Sequence, residues 1–166
     1  MVLGMSLATY TFIHVLISLI AIGSGFLVMY GLLVGKPLNG ITAIFLVFTV
    51  LTSITGFGFP FEHLLPSHIL GILSLLTLAL AIPARYVFHM AGAWRSVYVI
   101  SAALALYFNV FVLVVQSFMK VPALNAMAPT QKEPPFLFAQ LLVLLIFAVI
   151  TIFATLRFHP EKLHAV

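Results

Sequence analysis

The sequence predicts an all-α, polytopic membrane helix bundle of about five transmembrane helices. Three observations carry this. Hydrophobic residues make up 64% of the chain and charged residues only 6%, a ratio that no soluble surface tolerates. The few charges also punctuate the chain. Between Lys36, Glu62, Arg85, Arg95, Lys120, Lys132, Glu133 and Arg157 lie five uncharged stretches long enough to span a bilayer. A spanning helix needs about 20 apolar residues, because the hydrocarbon core is about 30 Å thick and each residue rises about 1.5 Å. Short alternating segments of the kind that build a membrane β-barrel are not seen.

The predicted helices cover 9–33, 41–57, 67–89, 96–119 and 135–157 within a single membrane-embedded domain, 1–166. The first stretch has no basic region ahead of it and runs past the length of a signal-peptide core, so it reads as a spanning helix. With the N-terminus outside and the C-terminus cytoplasmic, Lys36, Arg85, Arg95, Arg157 and Lys162 face inward, and only Lys120 and Lys132 face outward. That orientation follows the positive-inside rule and its reverse breaks it. The net charge of +4 therefore sets topology and does not point to nucleic acid. A multi-pass protein of a bacterial inner membrane, in contact with the lipid bilayer, is the expected location.

Each helix carries a stripe of small or polar residues, which in lipid is a packing face. In helix one it is Tyr10, His14, Ser18, Ala21 and Gly25; in helix two Thr42, Thr49, Ser53 and Gly56, flanked by Thr52 and Thr55. Helix three opens at Ser67 as N-cap and shows Gly71, Ser74, Thr77, Ala81 and Ala84, with a kink expected at Pro83. Helix four has the clearest period: Tyr98, Ser101, Ala105, Asn109, Val112, Gln116 and Lys120 share one side. It should be the most enclosed helix, with Asn109 turned to its neighbours. The proline-rich stretch 121–135 reads as an irregular loop, and Pro134-Pro135 starts helix five, which carries Gln140.

In this orientation His14, His68, Gln116 and Gln140 fall at one depth near the outer face, one from each of four helices. Polar side chains in a bilayer face the bundle interior and mark sites. Two imidazoles at matched depth on different helices suit a haem b, with His14 and His68 as its iron ligands and an apolar slot lined by Val15, Ile69 and Ile72 between their helices. The same four residues would instead bind a quinone headgroup, whose carbonyls need imidazole or amide donors. A metal held by His14, His63, His68 and Glu62 is a third arrangement. Against these stand plainer roles: helix-to-helix hydrogen bonds for His14, Asn109, Gln116 and Gln140, and a headgroup-level location for His68.

Absences narrow the field. There is no cysteine and no aspartate, and no glutamate falls inside a span. This excludes thiol chemistry, Fe–S clusters, covalent haem attachment and a Ser-His-Asp triad, and it argues against carboxylate-based ion coupling. No phosphate loop or metalloprotease motif occurs. Whether the protein is an enzyme stays open. The leading expectation is a small redox-linked electron-transfer protein with one haem b or a quinone. The alternative is a non-catalytic accessory or assembly subunit of a larger membrane complex.

Overall fold

A computed structural model describes Val2, residues 4–60 and residues 66–159. These residues form α1 (Leu7–Leu33), α2 (Asn39–Gly56), α3 (Pro66–Tyr86), α4 (Ala93–Lys120), the short α5 (Pro122–Met127) and α6 (Pro134–Arg157). All but α5 are long and apolar enough to cross a membrane, so the chain has the architecture of a multi-pass membrane protein. Successive spans run antiparallel. The start of α1, the end of α2, the start of α3, the end of α4 and the start of α6 thus share one end of the bundle, here called the Lys120 end.

Helices α1, α2, α3 and α4 pack in a closed ring, each against the next and α4 back against α1. In this ring α1 and α3 stand on opposite sides. Helix α6 lies outside it, against α4 and α1. Half of the α4 span is buried, against 17% of α6, so α4 is the centre of the bundle and α6 its most lipid-facing helix. The stripes explain the packing. Gly25 of α1 lies where a Cβ would come within 2.5 Å of Leu106 and 2.9 Å of Phe45, which is how α1 closes on α2 and α4. Buried hydroxyls on these faces bond their own helix: Thr49 donates to the Phe45 carbonyl at 2.7 Å and Ser101 to Val97 at 2.6 Å.

The turns are specified locally. The Ser6 hydroxyl caps α1 by accepting from the Thr9 amide at 3.1 Å. At its other end the Lys36 amide folds back on the Gly31 carbonyl at 2.7 Å, leaving no room for a Cβ at Gly31. Helix α3 ends three residues earlier than expected. It closes as the Val87 and Phe88 amides both donate to the Pro83 carbonyl, the second across a wider turn, and His89 and Met90 then take positive φ. Ser67 is not the cap, because α3 already begins at Pro66. Across the α3–α4 turn the rings of Phe88 and Trp94 stack, 3.9 Å apart and tilted by 6°.

The stretch after α4 departs from the expected irregular loop. Pro122 sits at the first position of α5, where its missing N–H is no loss, and Ala123, Leu124, Ala126 and Met127 favour the helix. Glu133 then organises the start of α6. One carboxylate oxygen accepts from the Thr130 hydroxyl at 2.8 Å and the other from the Lys132 amide at 3.0 Å.

At the opposite end two arginines, Arg85 and Arg95, which the positive-inside reading sets on the cytoplasmic side, turn to partners within the protein. Arg85 is 5% exposed; it donates to the Asn39 side-chain oxygen at 2.6 Å and lies over the Tyr98 ring at 5.0 Å. Arg95 donates to the carbonyls of Thr155 and Phe158, at 2.7 and 2.6 Å, and so caps the C-terminus of α6.

Candidate functional site

A cavity of about 570 Å³ lies within the four-helix ring at the Lys120 end. It runs from Thr11 and Lys120 at the end of the bundle down to Ile22 and Asn109, about 16 Å along α1 at the helical rise. Its size falls in the range of small-molecule sites in proteins. Apolar side chains such as Val15, Leu70 and Val112 make up most of the wall, and His14, His68, Gln116 and Asn109 are set into it.

His14 projects from the second turn of α1. Its Nδ1 lies 2.7 Å from the Thr55 hydroxyl on α2, and the edge of Phe59 packs on its ring. The Tyr10 hydroxyl donates to the Thr55 carbonyl at 2.7 Å, tying the same turn of α1 to the same turn of α2. The direction of the His14 bond follows from counting protons. The Thr55 oxygen also lies 2.7 Å from the Leu51 carbonyl, which can only accept, so the one hydroxyl proton lies there. His14 must therefore donate from Nδ1, and its Nε2 carries a bare lone pair. No described residue bonds that nitrogen.

His68 comes from the first turn of α3, across the ring. It is 3% exposed and stacks on Phe57, 5.6 Å away and inclined by 26°. Gly71, one turn further along α3, leaves the space that Phe57 occupies; a Cβ there would stand 3.2 Å from the ring.

Gln116 lies one turn below Lys120 on α4 and makes no hydrogen bond to a described residue. Asn109 is deeper and 9% exposed, turned into the bundle as its helical period predicts; its amide nitrogen also bonds nothing. By contrast Thr11, Ser18, Thr52 and Ser117 each donate their hydroxyl proton to a carbonyl of their own helix, at 2.7–2.8 Å.

The structure brings together three of the four residues that the sequence placed in one layer. His14, His68 and Gln116 line the cavity; Gln140 does not. Its nitrogen donates to the Phe111 carbonyl at 3.2 Å across the α4–α6 contact, outside the ring. Depth along a helix is legible in sequence, but which side of α4 receives α6 is not. The expected slot differs as well. Val15 lines the cavity, whereas Ile69 and Ile72 are 51% and 44% exposed on the outer face of α3. Glu62 and His63 lie outside the described residues. Among the described residues no three His, Cys, Asp or Glu side chains cluster to hold a metal.

Three participants escaped the sequence reading. Thr55 appeared only as a flank of the α2 stripe, yet it fixes the His14 ring. Phe57 and Phe59 drew no role from the sequence, yet they pack on the two imidazoles. The usable signal was Thr55 itself, a hydroxyl in the last turn of α2, at the depth of His14 once the hairpin is closed.

Fold and cavity together define a multi-pass α-helical membrane protein with a ligand-sized chamber inside its bundle. No family model, curated protein or solved structure matches this chain.

Proposed function

We propose that the cavity at the Lys120 end binds a quinone-class headgroup and that the protein is a small redox-linked component of a membrane, with a bacterial inner membrane as its expected location. The single observation behind this reading is the wall of the cavity. It is largely apolar, as a ring needs, yet it offers an imidazole nitrogen at His14 and an amide at Gln116 that bond no described residue. Polar groups left without partners in an apolar surrounding cost free energy, and a bound headgroup would offset that cost. A position inside an apolar bundle also suits a hydrophobic ligand.

Haem b is the second reading. It is favoured by the two imidazoles, His14 and His68, that line one cavity from opposite sides of the ring. The His14 Nδ1–H held by Thr55 leaves Nε2 as the nitrogen available to iron, the usual division of labour in a ligating histidine.

The purified protein in lipid nanodiscs separates these. A Soret band with sharp bands on dithionite reduction, lost in both His14→Ala and His68→Ala, would establish haem. Saturable binding of a short-chain benzoquinone or its hydroquinone, weakened at least tenfold in His14→Ala, would establish the quinone reading. Neither result would remove both and leave an accessory subunit of a larger membrane complex as the function to pursue.

A further inference from the structure

We infer that the cavity selects the reduced, hydroxyl-bearing form of its ligand, the hydroquinone, over the oxidised quinone. This inference rests on the quinone reading proposed above and deepens it.

The argument is an inventory of protons. A quinone has two carbonyl oxygens and can only accept hydrogen bonds; a hydroquinone has two hydroxyls that donate as well as accept. The wall facing them is rich in acceptors. His14 presents a bare Nε2, because Thr55 has fixed its proton on Nδ1. The hydroxyls of Thr11, Ser18, Thr52 and Ser117 have directed their protons to backbone carbonyls, so toward a ligand they offer only oxygen lone pairs. A quinone carbonyl set against the His14 nitrogen would meet lone pair with lone pair, and both groups would lose water for no bond. A hydroquinone hydroxyl at the same place donates directly.

A cation would also suit an acceptor-rich wall, but Lys120 stands at the mouth and no carboxylate among the described residues lines the cavity to balance a second positive charge. A neutral hydroxyl donor is the chemistry that remains. The amides of Gln116 and Asn109 carry both donor and acceptor, and the Lys120 ammonium at the mouth donates to a carbonyl or a hydroxyl oxygen alike, so these groups serve the second oxygen in either oxidation state and do not discriminate.

Thr55 is thus a positioning residue: it never needs to touch the ligand, but it decides which proton His14 carries. The preference requires no electron transfer, only binding. It does shift the bound couple, since a tenfold preference for the reduced form raises its midpoint potential by about 30 mV for two electrons.

The test uses the full-length protein in nanodiscs under anaerobic conditions. Kd is measured for decyl-benzoquinone and, with dithionite present, for decyl-hydroquinone. The expected result is hydroquinone binding at least about tenfold tighter, the scale of one hydrogen bond gained where an unpaired buried acceptor would otherwise remain. Thr55→Val, which frees His14 to carry its proton on Nε2, should shrink that ratio to about threefold or less. Should Thr55→Val fail to fold, His14→Gln provides the same readout, because an amide can turn either way. Equal binding of the two forms, tighter quinone binding, or a ratio unchanged in the variant that folds would overturn the inference while the quinone reading stands. Binding of neither form would remove both.

Discussion

The two ends of the bundle are built from the same helices with the same kinds of side chain, yet they treat polar groups in opposite ways. Away from the cavity, Arg85 reaches Asn39 and the Tyr98 ring, and Arg95 reaches two carbonyls at the end of α6. Every one of those contacts ties one helix to another. At the Lys120 end, His14 is fixed through one nitrogen, and neither its other nitrogen nor Gln116 bonds a described residue. The first pattern is what stability requires, since a buried cation needs partners. The second is what a receptive site requires, and it weakens the fold where it occurs. The difference teaches that partners, more than depth in the bundle, set the anchored arginines apart from His14 and Gln116 in the cavity wall, although the buried Tyr98 hydroxyl beside Arg85 also lacks a hydrogen-bond partner among the described residues.

Breaking the scaffold end should produce the largest effect. Arg85→Ala removes a charged hydrogen bond, a cation–π contact and buried stem packing, and should cost about 2–4 kcal/mol. Thermal unfolding in detergent would read this as a lowered Tm. A variant as stable as the parent would mean that the Arg85 contacts are not what closes that end. Gly31→Ala comes next. Its Cβ would lie 2.7 Å from the Lys36 carbonyl oxygen, a backbone atom that cannot simply rotate away, so the α1–α2 turn must shift. About 1–3 kcal/mol is expected, again visible in Tm.

The site end should respond in the opposite sense. Asn109→Leu replaces an amide whose nitrogen has no partner with a side chain of similar size. It should leave stability unchanged or raise it by up to about 1 kcal/mol. A clear loss would show that the amide bonds across helices after all, the role that Asn109's place on the α4 stripe first suggests.

The smallest expected effect is on pH. The Thr130 hydroxyl chiefly holds the Glu133 carboxyl below its ordinary range; desolvation opposes it, and the backbone amides of Glu133, Thr130 and Lys132 add to the lowering. A depressed carboxyl contributes stability above its unfolded value, about 4, and that contribution is lost as pH falls through the lower folded value. Amide hydrogen exchange at Thr130 and Lys132 should therefore quicken relative to its intrinsic rate as the medium is acidified through that window. In Glu133→Gln the acid dependence should vanish.

Much of this was legible in the sequence because it depends on composition and period alone. Five spans follow from charge spacing, and the enclosed face of α4 follows from Tyr98, Ser101, Ala105 and Asn109 recurring at the helical repeat. His14, His68 and Gln116 were legible as a layer because distance from a helix end converts directly to depth. Gln140 was misplaced because depth says nothing of azimuth: α6 packs outside the ring, a fact of how helices choose neighbours. The burial of Arg85 was hidden for a related reason. A lone arginine at the end of an apolar run looks like a headgroup anchor until Asn39, 46 residues earlier, is brought beside it.

Trp94 is the chain's single tryptophan, and its ring lies flat against Phe88 in the α3–α4 turn, at the end remote from the cavity. The molecule thus carries one intrinsic fluorophore, and it sits in the scaffold. Its emission reports on the arginine-held end rather than on the chamber. Ligand that fills the chamber and leaves Trp94 emission unaltered acts locally. A shift in that emission would mean that occupancy at one face of the membrane is felt at the other, along α3 and α4.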